Sequence, residues 1–211
     1  MRAALRVSSA SSEGEYMLAA ICGHDHAYNM GNLKSYTLTL MALLDHRAGR
    51  RIYSNYKLIG IPYEPITDMQ HLNKLMDEEG YNISIFMDEM QVYFDAYDRP
   101  SKKDGTKDFK NFVRQTRKRG VKLWMTAQSF SDINKSIRRV THKVYVTAKY
   151  DITQQGLIIC ESDKCRAPHM LELTECKVFE EQLFPMRAPV YIPVIPDIFN
   201  MYDTEELIGL Y

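Results

Sequence analysis

Apolar residues along the chain fall into short runs that alternate with stretches of helical pattern. Five runs are short and apolar or β-branched enough to be strands, and they cover residues 16–22, 51–55, 83–87, 121–127 and 143–148. Four stretches between or after them have a helical pattern, and they cover residues 34–46, 68–79, 107–119 and 130–139. The alternation predicts an α/β fold with a mostly parallel sheet flanked by crossover helices.

The pattern changes after residue 150. Residues 156–161 and 171–179 are predicted to be two strands that form a β-hairpin. Four prolines then exclude regular helix and predict an extended tail, and they are Pro185, Pro189, Pro193 and Pro196. We therefore expect a flexible N-terminal lead over 1–15, an α/β core over 16–150, and a hairpin and tail over 151–211 packed on the same domain.

Composition restricts the class of protein. Lys plus Arg and Asp plus Glu both number 27, so the net charge is zero and gives no indication of a nucleic-acid partner. Any basic surface must therefore be local. Such a stretch exists between residues 107 and 122, where seven basic residues accompany one acidic residue, Asp108. No apolar run is long enough to span a membrane. Four cysteines without a signal peptide predict free thiols in a reducing compartment.

The strongest chemical signal is the Asp88-Glu89 pair that follows the apolar run 83–87. Ligands of open α/β sheets bind outside the carboxyl ends of the strands, where this pair is predicted to lie. An aspartate there can hold Mg²⁺, and a glutamate beside it can activate a water that attacks a γ-phosphate. The alternative is an acidic loop after a core strand.

A second signal lies between the first predicted strand and the first predicted helix. Gly31, Asn32 and Leu33 precede Lys34-Ser35, which open the helix. In a phosphate-binding loop the backbone N–H groups cradle phosphate, the lysine neutralises its charge and the serine hydroxyl binds Mg²⁺. The match to G-x-x-x-x-G-K-[ST] is weak, because Tyr28 and Leu33 occupy the two glycine places. An incidental Lys-Ser at a helix N-terminus is the alternative.

A third signal is Gln128, which is predicted to end the strand over 121–127, next to the strand that carries Asp88. Its amide could bond a γ-phosphate or the attacking water. The alternative is a surface amide at the end of a strand.

Together these signals resemble the viral and phage branch of the HerA/FtsK superfamily of DNA-pumping P-loop ATPases, which includes the Zot-like proteins. The segments that carry the resemblance are MGNLKSYTLTLMALL, GRRIYSNYKL, ISIFMDEMQVYF, FVRQTRKRGVKLWMTAQSFSDINKSIRR and YDTEEL. It implies a RecA/FtsK-like P-loop NTPase core over residues 16–150.

The resemblance also implies roles for single residues. Gly31, Asn32, Leu33, Lys34 and Ser35 would bind nucleotide; Ser35 and Asp88 would hold the metal; and Glu89 and Gln128 would be the water-activating and sensor residues. A neighbouring subunit supplies an arginine in this family, and Arg117 matches that position best, with Arg114 and Arg138 as alternatives.

The function expected from the resemblance is an ATP-driven DNA translocase, a viral genome-packaging ATPase that uses ATP and Mg²⁺. Its expected partners are DNA, further copies of itself in a ring, and a capsid or portal vertex, in the host cytoplasm or with the virion. A Zot-like phage assembly or export ATPase is a second reading, against which the missing membrane span counts. A degenerate nucleotide-binding protein without hydrolysis is a third, and Leu33 is its main support.

One further group could bind a metal. Cys160, Cys165, His169 and Cys176 lie within the predicted hairpin region and could hold Zn²⁺. They lack a close C-x-x-C pair, so free thiols are the expectation.

Overall fold

The structure of the chain is a computed structural model. It describes residues 17–23, 33–66, 71, 82–90, 112–113, 116, 119–160, 169–179 and 182–207, and for residues 204–207 it describes the backbone alone. The predicted helices over 68–79 and 107–119 fall largely outside these residues, so they stay predictions.

The described residues include twelve strands, three helices that are described from end to end, and one 3-10 turn. The strands are β1 (Met17–Gly23), β2 (Arg51–Ser54), β3 (Tyr56–Leu58), β4 (Glu64–Pro65), β5 (Ile83–Met87), β6 (Lys122–Ala127), β7 (Lys143–Thr153), β8 (Gly156–Ile159), β9 (His169–Phe179), β10 (Gln182–Pro185), β11 (Val190–Pro193) and β12 (Tyr202–Leu207). The helices are α1 (Lys34–Arg47), α2 (Lys135–Arg138) and α3 (Pro196–Phe199), and the 3-10 turn is Phe130–Asp132.

The centre of the molecule is a parallel sheet with the strand order β4-β2-β5-β6-β1-β7. The first strand lies in the middle, because β6 pairs with it on one side and β7 on the other. The carboxyl ends of β1, β5 and β6 therefore meet at one edge of the sheet, where open α/β sheets bind their ligands. This arrangement confirms the predicted α/β fold class.

Helix α1 covers one face of this sheet and is itself buried on most sides. Leu38 and Ala42 pack against Ile21, Phe86 and Trp124 of the sheet. The Trp124 ring of β6 stacks between Phe86 of β5 and Tyr145 of β7, with ring-centroid distances of 6.5 and 5.8 Å. A second apolar cluster covers α1 from the other side and includes Tyr36 and Leu40 with parts of β9 and α3. A helix enclosed in this way shows a broad apolar surface in place of a narrow stripe.

Strand pairing after β6 differs from the sequence-based expectation. The strand predicted over 143–148 continues to Thr153 and turns through residues 154–155 into β8, so β7 and β8 form the hairpin. β9 pairs antiparallel with β7, whereas the prediction paired it with β8. The physical reason is local: Gly156 adopts φ 121°, which helps a tight turn to close before the chain reaches β9.

The proline-rich tail holds more regular structure than predicted. β10 and β11 pair antiparallel with β9, and β12 pairs with β3. Pro185 and Pro193 are the last residues of β10 and β11, and Pro196 opens α3. These are strand ends and a first helical position, where a missing N–H group costs little.

The helix predicted over 130–139 is divided into the 3-10 turn and α2. Ser129 and Asp132 form a capping box around the turn, and the Asn134 side chain accepts a hydrogen bond from Ser136 N, which caps a new start at α2. Local side-chain bonds of this kind compete with a continuous helix. Within the described part of the chain, no helix is long and apolar enough to cross a membrane.

Candidate functional site

The first turn of α1 brings Lys34 and Ser35 to the ligand-binding edge of the sheet. Leu33 precedes the helix with φ 59° and ψ 24°, a left-handed conformation. Its carbonyl oxygen accepts hydrogen bonds from Thr37 N at 2.8 Å and Thr37 Oγ1 at 2.7 Å, which fixes the start of the helix. The N–H groups of a first turn lack helical partners and, with the helix dipole, favour an anion.

Leu33 thus takes, without glycine, the left-handed conformation that glycine adopts most easily. The strain costs an L-amino acid about 1–2 kcal/mol. Its side chain is 7% exposed and packs in a cluster of apolar residues from α1, β9 and α3. Burial of a leucine contributes about 1.5–3 kcal/mol, which offsets the strain. The departure from the usual motif is therefore compatible with a well-formed turn.

Asp88 is the buried centre of the site. It follows β5 and is 1% exposed. Its Oδ2 accepts a hydrogen bond from Ser35 Oγ at 2.8 Å, and its Oδ1 accepts one from Thr126 Oγ1 of β6. The carboxylate is therefore held between the start of α1 and the neighbouring strand.

Asn55, which the sequence analysis did not single out, holds the backbone of Asp88. Its Oδ1 accepts a hydrogen bond from Asp88 N at 2.7 Å, and its Nδ2 donates to Asp88 O at 3.0 Å. Asn55 is fully buried directly after β2. A polar amide after an apolar strand was the only sequence signal, and it is common in loops.

Glu89 stands beside Asp88 in a left-handed conformation with φ 50°. Its N–H group donates to Thr126 Oγ1 at 2.8 Å, so this threonine holds both acidic residues. Partial burial raises the pKa of Glu89, the charge of Asp88 raises it further, and the charge of Lys34 opposes both. A carboxylate with a raised pKa accepts a proton more readily near neutral pH.

Lys34 and Gln128 meet across the site. Lys34 Nζ donates to Gln128 Oε1 at 2.8 Å. The backbone oxygen of Gln128 accepts from Gly23 N at 3.3 Å, which ties the end of β6 to the end of β1. Burial lowers the pKa of Lys34, and the negative charges of Asp88 and Glu89 act in the opposite direction.

The structure therefore brings together Leu33, Lys34, Ser35, Asp88, Glu89 and Gln128. Gly31, Asn32, Arg114 and Arg117 lie outside the described residues, and Arg138 lies at the end of α2. Ser35 and Asp88 fit Mg²⁺, because both offer hard oxygen atoms. These atoms are 2.8 Å apart, close to the spacing of about 3.0 Å between adjacent ligands in an octahedral magnesium shell.

Comparison with solved structures identifies the fold. This chain and the N-terminal domain of zonular occludens toxin from Neisseria meningitidis superpose with a TM-score of 0.57 over 91% of this chain and 100% of that one. The chain has the fold of this toxin domain. The sequence identity is 17%, so the similarity is one of fold. It confirms, at that level, the resemblance to Zot-like proteins on which the sequence-based expectation rests.

Weaker similarities extend to other proteins. The genome packaging NTPase B204 from Sulfolobus turreted icosahedral virus 2, solved with ATP-gammaS, gives a TM-score of 0.47 at 8% identity, over 85% of this chain and 97% of that one. The flagellar accessory protein FlaH from Methanocaldococcus jannaschii gives 0.45 at 13% identity, over 83% and 91%. Scores below 0.5 do not by themselves establish a shared fold. No protein-family model matches the chain, and no curated protein sequence is significantly similar to it.

Proposed function

We propose that this protein is an ATP-driven DNA translocase, a viral genome-packaging ATPase that hydrolyses ATP in a ring. The observation that carries the proposal is the joined arrangement of Lys34, Ser35, Asp88 and Gln128 at one edge of the sheet, with Glu89 beside them. The site combines a cation, a hydroxyl, two carboxylates and an amide. This combination fits a nucleoside triphosphate better than it fits a neutral ligand.

The residues at the start of α1 would bind the phosphates. Gly31, Asn32 and Leu33 lead into a helix N-terminus, and Lys34 adds a positive charge in a partly desolvated position. Ser35 and Asp88 would hold Mg²⁺, which supplies charge neutralisation at the phosphate oxygens when bound.

Glu89 would orient and deprotonate the attacking water. Its raised pKa, its fixed backbone and its position beside Asp88 suit a general base. Gln128 would sense the γ-phosphate, since it already lies within hydrogen-bond distance of the Lys34 ammonium.

The proposal that a ring of subunits transports DNA rests on the basic stretch between residues 107 and 122 and on Arg117. Repetition of this stretch around a channel would attract DNA phosphates although the chain carries no net charge. Arg117 would complete the site of a neighbouring subunit, with Arg114 and Arg138 as alternatives. A capsid or portal vertex would be the further partner, in the host cytoplasm or with the virion.

A Zot-like assembly or export ATPase is the second candidate. The toxin domain matches 91% of this chain, so the same fold is compatible with that role. A degenerate nucleotide-binding protein is a weaker candidate, because Leu33 forms the turn without glycine and the catalytic-type groups lie together.

ATPase assays on the purified protein, with and without double-stranded DNA, test the proposal. Stimulation by DNA favours translocation, whereas DNA-independent turnover favours assembly or export. The Glu89→Gln variant should bind Mg²⁺-ATP and hydrolyse it at least ~100-fold more slowly, and Lys34→Ala should lose nucleotide binding. Glu64→Gln is the matched control, because Glu64 is an exposed carboxylate that pairs with Arg51 at 2.6 Å. Near-normal turnover in Glu89→Gln removes Glu89 from the mechanism.

Mixing two inactive variants tests the ring. Arg117→Ala should bind ATP without hydrolysing it, since an arginine finger contributes on the order of 10³-fold or more. Lys34→Ala subunits keep the arginine, so mixed rings should regain partial activity. Co-assembly without recovery would show that Arg117 does not act between subunits.

A further inference from the structure

Three potential metal ligands converge where β7, β8 and β9 meet. Asp151 of β7 and His169 of β9 are direct cross-strand partners. Cys160 follows β8, and its N–H group donates to the backbone oxygen of Lys149 on β7 at 2.8 Å. Residues two apart on a strand share a face, so the register places Lys149, Asp151, Cys160 and His169 on one face.

The side chains of three of these residues are close together. One ligand atom each from Asp151, Cys160 and His169 lies within 4.8 Å of the other two. His169 Nδ1 is 2.7 Å from Asp151 Oδ1. The Cys160 residue is 6% exposed, and the side chains of His169 and Asp151 are 11% and 25% exposed. The group is therefore compact and largely shielded, with one side still reached by solvent.

We propose that Asp151, Cys160 and His169 form a binding site for a divalent transition metal, with Zn²⁺ as the expected occupant. Thiolate, imidazole and carboxylate are ligands of Zn²⁺, and the thiol and imidazole disfavour Mg²⁺ and Ca²⁺. Tetrahedral Zn²⁺ spaces its nitrogen and oxygen ligand atoms about 3.3 Å apart and places a sulfur about 3.6 Å from either. The 2.7 Å between His169 Nδ1 and Asp151 Oδ1 would widen by about 0.6 Å when the metal binds. The Cys160 sulfur lies within 4.8 Å of a ligand atom on each of the other two residues, so it would approach them by about 1.2 Å at most.

The proposal corrects the grouping considered from the sequence. Cys176 lies opposite Val144, seven residues along β7 from Asp151, so it does not belong to the cluster. Cys165 lies outside the described residues, and the proposal does not use it. The sequence analysis did not single out Asp151, because a ligand on a neighbouring strand leaves no spacing pattern in the sequence.

The metal would act as a structural clip. Cys160 and His169 flank the connection between β8 and β9, and Asp151 lies on β7, which pairs with both strands. An ion bound by all three residues would join the two ends of that connection and hold the β7–β8 hairpin against β9. The hairpin needs such support, since Ile152, Ile158 and Ile159 are exposed and give it little apolar core.

Two metal-free readings compete with the clip. In the first, Asp151 is balanced by His169 and by the buried Lys149 on the same face, with no ion. In the second, Cys160 is a nucleophile activated by His169, but its burial shields the sulfur from a substrate. Metal titration separates the clip from both metal-free readings.

The test uses the full chain after a chelator has removed bound metal. The protein is titrated with Zn²⁺ and, separately, with Co²⁺. Excess Mg²⁺ is present throughout to occupy sites made of oxygen ligands. We expect one equivalent of Zn²⁺ to bind and to raise Tm by roughly 5–10 °C at about 100-fold excess over Kd. Co²⁺ should show thiolate-to-metal charge-transfer absorption. Cys160→Ser should abolish that absorption, and Asp151→Asn and His169→Asn should weaken affinity at least about tenfold.

Cys176→Ser is the matched control, because it removes a buried thiol of β9 outside the cluster and should leave metal binding unchanged. Each variant is checked for cooperative urea unfolding by the fluorescence of Trp124, so that failure to fold is separated from loss of the metal. No Zn²⁺ binding by the parent chain overturns the proposal. Charge-transfer absorption that survives Cys160→Ser but is lost in Cys165→Ser overturns it as well.

Discussion

Replacement of Leu33 by glycine and by alanine tests the left-handed turn that precedes α1. Leu33 adopts φ 59° and ψ 24°, and its side chain is 7% exposed. Both replacements remove the buried side chain, a change that typically costs about 2–5 kcal/mol in protein cores. Glycine also relieves left-handed strain of about 1–2 kcal/mol, which alanine retains.

The difference between the two variants isolates the strain. The glycine variant has a more flexible unfolded chain than the alanine variant, which lowers its free energy of unfolding by about 0.4–1 kcal/mol. We therefore expect both variants to be less stable than the parent, with Leu33→Gly about 0.5–1 kcal/mol more stable than Leu33→Ala. This order reverses the usual one, in which alanine is better than glycine in a helix by up to about 1 kcal/mol.

Leu40 provides the matched control. It is 6% exposed, belongs to the same apolar cluster and lies inside α1 with ordinary helical neighbours. At position 40 the alanine variant should therefore be the more stable of the pair. Equilibrium urea unfolding measures all four variants, with fluorescence of Trp124 as probe, since it is the one tryptophan and lies stacked in the core. A finding that Leu33→Ala is more stable than Leu33→Gly would refute the left-handed turn.

Three further predictions concern the acidic residues and their supports. Thr126→Val should lower kcat by about 10–100-fold with little change in ATP affinity, and Thr126→Ser should restore it, because the hydroxyl holds both Asp88 and Glu89. Burial raises the pKa of Glu89, so its ionised form destabilises the folded chain at neutral pH; the Tm advantage of Glu89→Gln should shrink as the pH falls through this raised pKa and should vanish below the ordinary glutamate pKa. Asp45→Ala should lower the free energy of unfolding by about 3–5 kcal/mol in urea titrations, since it leaves the Lys122 ammonium and Trp124 Nε1 without their buried acceptor.

The sequence determined those parts of the protein that depend on local pattern. The run over 83–87 coincides with β5, and the helix predicted from residue 34 begins there in the structure. Apolar runs of strand length and a helical period between them reflect burial of single elements, so they can be read without tertiary information. For the same reason the sequence identified Asp88 and Gln128 as residues at the ends of neighbouring strands.

Pairing and long-range contacts were decided by the tertiary structure. β9 pairs with β7, because a short turn lets β8 fold back first. The tail forms strands, because the edge of β9 and the edge of β3 offer free hydrogen-bonding groups to it. Neither edge is visible in a sequence window.

The supports of the site also needed the fold. Asn55 binds the backbone of Asp88 across 33 positions of sequence, and Thr126 binds its carboxylate across 38. Asp151 approaches Cys160 and His169 only because three strands lie side by side. A local pattern records what one element buries, whereas these contacts depend on which elements become neighbours, and that is set by packing of the whole sheet.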